Sequence, residues 1–273
     1  MKHTEWMTAL STNRTDYEFL KEIKGYSIDG IELSVNEWEC HEIDWSGLKA
    51  NAERASIALL SYHLPFGDKT DISRLDREGR EKAVDIDKSL IKRATDIGIK
   101  RFIVHPSYEP IADDERALRL ENARLSLKEL AEYADTLGAV ICVEDLPRSC
   151  LGHDVKEMLE LLSADDRLRV CFDVNHLLTV YGCTHSDFIN AMGDKIVTCH
   201  MSDYDFVDEK HYFCGNGDIN WDELIGLLEG VGYCGPFLYE GGFKPHPRHP
   251  EVPFGDLDQA HDRQMKIREF KGQ

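Results

Sequence analysis

Eight short apolar, β-branched runs recur along this 273-residue chain, at 6–11, 30–34, 57–63, 101–106, 139–145, 168–174, 196–202 and 236–240. Polar stretches with helical period separate them, among them Asp16-Tyr17-Phe19-Leu20-Ile23, residues 118–137 and Val155-Met158-Leu159-Leu162. Strand-length runs that are apolar on both faces and joined by helical crossovers predict a parallel sheet, because parallel neighbours need a connection long enough for a helix. Such a sheet is either open and doubly wound or closed into a barrel. Eight strands within about 250 residues favour the single (β/α)8 TIM barrel. The open nucleotide-binding alternative also lacks its glycine fingerprint, since Gly215-Asn216-Gly217 has no strand immediately before it.

Charge narrows the partners. The chain carries 32 Lys and Arg against 51 Asp and Glu, a formal charge of −19, and it stays negative even with all 12 histidines protonated. A surface of that sign repels nucleic acid and anionic membranes, so neither is an expected partner. No segment resembles a signal peptide or approaches membrane-spanning length. Cys142, Cys171 and Cys199 sit inside apolar runs and no Cys-x-x-Cys pair occurs, which predicts buried free thiols in a cytoplasmic protein. Four of the nine prolines fall between residues 245 and 253, so a Pro-rich loop is expected at about 241–255, before a last helix at 257–270. With Phe254, residues 244–253 form a stretch that could pack on a partner barrel, and a homo-oligomer is expected.

The ends of the apolar runs carry the chemistry. Val143-Glu144-Asp145, Phe172-Asp173-Val174-Asn175-His176, Cys199-His200-Met201-Ser202-Asp203 and Leu238-Tyr239-Glu240 all close in residues that packing alone would not select, as do Tyr62-His63 and Val104-His105. In a parallel barrel these ends meet at one face, where the active sites of such folds lie. Glu144, Asp173, His200 and Glu240 supply three carboxylates and an imidazole, suited to one divalent ion, Mn²⁺, Mg²⁺, Co²⁺ or Zn²⁺. Without a cation, three converging carboxylates repel. His63, His105, His176 and His211 are candidates for substrate contact or for additional metal ligands, which would allow more than one Zn²⁺. Asn220 is placed to cap the helix that starts at Trp221, with Glu223 at the capping-box position.

In this order the residues resemble the xylose isomerase-like barrel superfamily, which includes ketose 3-epimerases, hydroxypyruvate isomerases, inosose dehydratases and zinc AP endonucleases. The likeness covers nearly the whole chain. It is most specific at Val143-Glu144-Asp145, at Cys171-Phe172-Asp173-Val174-Asn175-His176, and from His200-Met201-Ser202-Asp203 through Gly215-Asn216-Gly217-Asp218-Ile219-Asn220-Trp221 to Gly235-Pro236-Phe237-Leu238-Tyr239-Glu240. The resemblance implies that Glu144, Asp173, His200 and Glu240 hold the metal, and that Glu144 and Glu240 exchange protons with opposite sides of a ketose carbon through a metal-stabilised enediolate.

A sugar isomerase or epimerase is the expectation that results. A keto-inositol-type dehydratase on the same site is the alternative. The ligand set also fits a three-zinc AP endonuclease, with Glu209 where that family has Asp, although the charge of −19 opposes a DNA substrate. A non-catalytic metal- or sugar-binding barrel would more plausibly have lost Glu144 or Glu240. One departure stands out: the epimerases resembled here place an Arg six residues after the metal His, and this chain has Phe206. Cations suited to a phosphate are sparse; Lys69, Arg148, Lys210, Lys244 and Arg248 read as solvated surface, which points to an unphosphorylated sugar, polyol or sugar acid.

Overall fold

All eight apolar runs are strands in the computed structural model, which describes residues 6–241. They are β1 (Thr8–Thr12), β2 (Gly30–Ser34), β3 (Ala58–His63), β4 (Arg101–Val104), β5 (Val140–Glu144), β6 (Arg169–Asp173), β7 (Ile196–Met201) and β8 (Phe237–Tyr239). Each pairs in parallel with the next, and β8 pairs with β1, so the sheet closes into a barrel. The helices are α1 (Tyr17–Lys24), α2 (Trp45–Ala55), α3 (Arg77–Asp96), α4 (Arg116–Thr136), α5 (Val155–Leu162), α6 (His185–Met192) and α7 (Trp221–Gly230). Asp16, Asp44, Asp76, Asp154, Thr184 and Asn220 cap six of them by accepting from a backbone N–H of the first turn. Each such cap contributes about 1 kcal/mol. At α7 the Glu223 carboxylate does not close a capping box on the backbone; it accepts from the Asn220 side-chain amide instead, 3.2 Å away.

The pleat sorts every strand into two faces. Outward residues such as Phe102, Ile141, Val143 and Phe172 join the helices in one large core, where Phe172 stacks on Phe188 of α6. Inward residues Ile103, Cys142 and Cys171 form a separate small cluster inside the barrel. Two positions further along the same strand faces come His105, Glu144 and Asp173. The small thiols thus fill the narrow interior directly beneath the polar layer. All eight cysteines are free and six are buried, as the apolar settings of Cys142, Cys171 and Cys199 predict. No described helix is long and apolar enough to cross a membrane. The Pro-rich loop after Gly241, the last helix and the proposed oligomer contact at 244–254 lie outside the described residues.

Candidate metal centre and active site

Glu144 ends β5, Asp173 ends β6, His200 stands near the end of β7 and Glu240 follows β8, so the closed barrel brings them to one point. His200 Nδ1 lies 3.0 Å from Glu144 Oε1, 3.0 Å from Glu240 Oε2 and 3.8 Å from Asp173 Oδ2. The four donor atoms fall within 4.8 Å of one another. Backbone and side-chain bonds aim them. The Asp173 N–H donates to Asp145 Oδ1 (2.8 Å), and the Asn175 N–H donates to Asp173 Oδ1 (2.7 Å). That leaves Asp173 Oδ2 buried, facing the cluster, with no hydrogen-bond partner. An orphaned carboxylate oxygen among two further carboxylates and an imidazole is costly unless a cation fills the gap. The residues present therefore fit a divalent ion of the hard or borderline kind.

The electrostatics agree with that fit. Burial pushes the Asp173 carboxyl well above the usual carboxylate range, with the neighbouring Glu240 charge adding to it. Burial also works against the charged forms of Glu144 and His200, but here the neighbours win: Glu144 is held well below its ordinary value by His200 and His105, and His200 well above its own by Cys171 beside it and by the carboxylates of Glu240, Glu144 and Glu32. Burial opposes the charge on His63 too, yet its hydrogen bond to Glu144 raises it to about 9. Protons and a cation therefore compete for these groups.

A raised pKa means a proton held at neutral pH, and a ligand must shed it to bind metal. Because Asp173 and His200 both hold a proton at neutral pH, metal affinity should climb with pH through neutrality, by up to about tenfold per pH unit for each proton displaced. Calorimetric titration of Mn²⁺ or Zn²⁺ in buffers of different ionisation enthalpy should show protons released at pH 7; an affinity independent of pH would refute it.

The four further histidines flank this centre on two sides. On one, His63 donates from Nδ1 to the Leu64 carbonyl (2.9 Å) and faces Glu144 Oε2 with Nε2 (3.0 Å), while His105 Nε2 lies 3.2 Å from the same oxygen. On the other, His176 donates from Nδ1 to the Asp145 carbonyl (2.7 Å), which turns Nε2 toward Asp173 Oδ2 at 3.6 Å. Burial drops His176 to about 4, so it is neutral there. His211 pairs through Nε2 with Glu209 Oε1 (2.8 Å) and through Nδ1 with Ser202 Oγ (3.2 Å). Against the pull of burial, that histidine lowers Glu209 to about 2. Two further donor groups result, His63-Glu144-His200 and Asp173-His176-His211. All eight residues expected from the sequence are gathered at one end of the barrel.

The loop after β7 carries Glu209 and His211, and Asp203 shapes it. This fully buried carboxylate accepts from the backbone N–H groups of Tyr204, Gly215 and Ile219 and from Trp221 Nε1. A Cβ on Gly217 would collide with Asp203 Oδ1 and the Tyr204 backbone, which explains a glycine there. The Gly215-Asn216-Gly217 stretch is thus a packed turn. Phe206, where the resembled epimerases place an Arg, packs on Tyr204 and His185 and is absent from the residues lining the central cleft.

That cleft, of about 140 Å³, is lined among others by His63, Phe66, His105, Tyr108, Arg148, Glu209, His211 and Glu240. A larger cavity of about 550 Å³ lies on the outer helices α2 and α3 and holds none of these groups. Arg148 departs from the solvated role expected of it. Its guanidinium lines the cleft and is tied to Glu109 (2.6 Å), Glu209 (2.8 Å) and Asp208 (3.2 Å), so that one cation joins the loops after β4, β5 and β7. Glu32 was not visible as a site residue either. It is fully buried on β2, with Oε1 2.9 Å from His200 Nε2. The available signal was a lone acid in the otherwise apolar run Gly30-Ile31-Glu32-Leu33.

Residues 20–254 match the model of the family described as xylose isomerase-like TIM barrel. The chain belongs to that family. Among proteins of similar sequence, the uncharacterised protein MJ1311 of Methanocaldococcus jannaschii is 26% identical over 256 residues, which is 88% of this chain and 86% of its own. An L-ribulose-5-phosphate 3-epimerase of Salmonella typhi is 25% identical over 253 residues, 85% of this chain and 84% of its own. A crystal structure of a D-tagatose 3-epimerase-like protein superposes with a TM-score of 0.82 at 20% identity, covering 98% of this chain and all of that one, and so shares the fold of this xylose isomerase-like barrel.

Proposed function

We propose that this xylose isomerase-like barrel is a divalent-metal-dependent isomerase or epimerase of an unphosphorylated ketose or a related polyol or sugar acid. The observation that carries the reading is the pairing of Glu144, at the end of β5, and Glu240, just after β8, whose carboxylates reach the same histidine nitrogen, both at 3.0 Å, and both line the cleft. Glu144, Asp173, His200 and Glu240 would hold the ion. When bound, it supplies Lewis acidity at a sugar carbonyl. One glutamate then takes the proton from the carbon beside the carbonyl, and the other returns a proton to the opposite face or to the neighbouring carbon. Both are held below the usual carboxylate range by His200 against the pull of burial, so either suits the first step as base, and its partner delivers a proton it has taken up from water. The histidines and Phe66 on the cleft wall would orient the hydroxyl groups and limit access of water.

The preference for an unphosphorylated substrate rests on Arg148. Among the described residues lining the cleft it is the one Arg or Lys, and Glu109, Asp208 and Glu209 already surround it. An incoming phosphate would meet carboxylates, a repulsion worth several kcal/mol at close range. The Salmonella relative is named for a phosphorylated substrate; this lining supports a different preference. A keto-inositol-type dehydratase would start with the same proton abstraction.

One observation favours a second reading, a multi-zinc phosphodiesterase of the AP endonuclease kind: His63 and His105 gather at Glu144, and His176, Glu209 and His211 gather beside Asp173. A net charge of −19 works against a DNA substrate. A panel of free and phosphorylated ketoses incubated with the Mn²⁺-loaded protein in D₂O decides between them. Deuterium should enter beside the carbonyl of an unphosphorylated ketose, with kcat/KM at least about tenfold above that of its phosphate ester. No exchange with any ketose, together with cleavage of abasic DNA, would move the assignment to phosphodiester hydrolysis.

A further inference from the structure

Glu32 stands on β2 and His200 on β7, so their contact crosses the barrel interior. Both side chains are fully buried. Glu32 Oε2 receives the Ser61 hydroxyl at 2.7 Å, which fixes the carboxylate, and Oε1 lies 2.9 Å from His200 Nε2. A neutral imidazole carries one N–H, and an ionised carboxylate only accepts. With an ion held among Glu144, Asp173 and Glu240, the nitrogen facing Glu32 is the one left to carry the N–H. The lone pair is then left on Nδ1, the atom that points at Glu144, Asp173 and Glu240. The Cys171 thiol also lies beside this ring, but sulfur is a weak acceptor and does not compete with a carboxylate.

We propose that Glu32 is a positioning residue that makes His200 an Nδ1 ligand, selecting its tautomer from across the barrel and raising the basicity of the nitrogen that would meet the ion. Outer carboxylates that hold the second ring nitrogen of a ligating histidine act in this way, and their loss costs about 10–100-fold in metal affinity. The inference rests on the reading of Glu144, Asp173, His200 and Glu240 as a metal site, and it is independent of which sugar is turned over.

The test compares the full-length wild type with Glu32→Ala and Glu32→Gln. Zn²⁺ dissociation constants come from competition with a chromophoric chelator, and the protonated ring nitrogen of His200 from ¹⁵N-edited spectra of the zinc-loaded proteins. Glu32→Ala should weaken Zn²⁺ binding by about 10–100-fold and lose the single Nε2–H signature. Glu32→Gln keeps the shape and an acceptor but not the charge; it should retain the tautomer with a several-fold weaker affinity and an unchanged melting temperature of the apo-protein. Should the alanine variant fail to fold, the glutamine variant decides. Wild-type affinity and spectrum in the folded variants would overturn the role of Glu32 alone. A wild type that binds neither Zn²⁺ nor Mn²⁺ would overturn the metal reading with it.

Discussion

Replacing Glu240 by Gln should abolish turnover, lowering kcat by about 10³-fold or more, while weakening metal binding by only about tenfold. The two effects separate because the amide keeps an oxygen donor but cannot take up or deliver a proton at neutral pH. Positioned proton transfer contributes about 10²–10⁴-fold to a rate. Glu240 is also the most open member of the quartet, with a side chain 19% exposed against 1% or less for the other three, so it is the carboxylate that a substrate would reach first. Its amide variant should preserve the barrel, because β8 ends at Tyr239 and the Glu240 backbone N–H still donates to the Met201 carbonyl. Steady-state kinetics on a ketose into which the wild type introduces deuterium, beside a metal titration of the same protein, measure both effects. A Glu240→Gln enzyme with wild-type kcat would remove Glu240 from the chemistry.

Stripping the metal should have a comparably large effect, on stability as well as on activity. Three carboxylates meet at one point, and Asp173 Oδ2 has no partner there. An ion present at 100 to 1,000 times its dissociation constant adds about 2.7–4.1 kcal/mol to the folded state. For a chain of this size that corresponds to a rise in Tm on the order of 10 °C. Protein dialysed against EDTA should be inactive and melt at lower temperature, and Mn²⁺ or Zn²⁺ should restore both. Elemental analysis of protein purified without chelator separates the two functional readings. One ion per chain fits the isomerase; two or three zinc ions would recruit His63, His105, His176 and His211 as ligands. Equal melting temperatures and undiminished activity after chelation would refute a metal centre altogether.

The eight residues of the candidate site were legible because in a parallel barrel the strand ends share a face. Finding Glu144, Asp173, His200 and Glu240 on successive strands needed only a count of strands and the position of each polar residue within its run. The barrel itself followed from the same alternation, since helical crossovers and doubly apolar runs leave few other closures. Asp203 shows the limit: its motif was plain in the sequence, but its four hydrogen bonds became visible only once the loop was folded around it.

Contacts across the barrel had no such local signature. Glu32 and His200 are 168 positions apart and meet because closing the sheet sets β2 across the interior from β7. Arg148 read as surface because its partners, Glu109, Asp208 and Glu209, lie on other loops; their convergence turns a solvated cation into a neutralised wall of the cleft. The sequence by itself determined the order of strands and which side chains reach the polar end of the barrel, because period and spacing are properties of a single strand. Which of those side chains touch, and which nitrogen each histidine presents, was decided by tertiary structure, because a hydrogen bond depends on the distance between strands that only barrel closure sets.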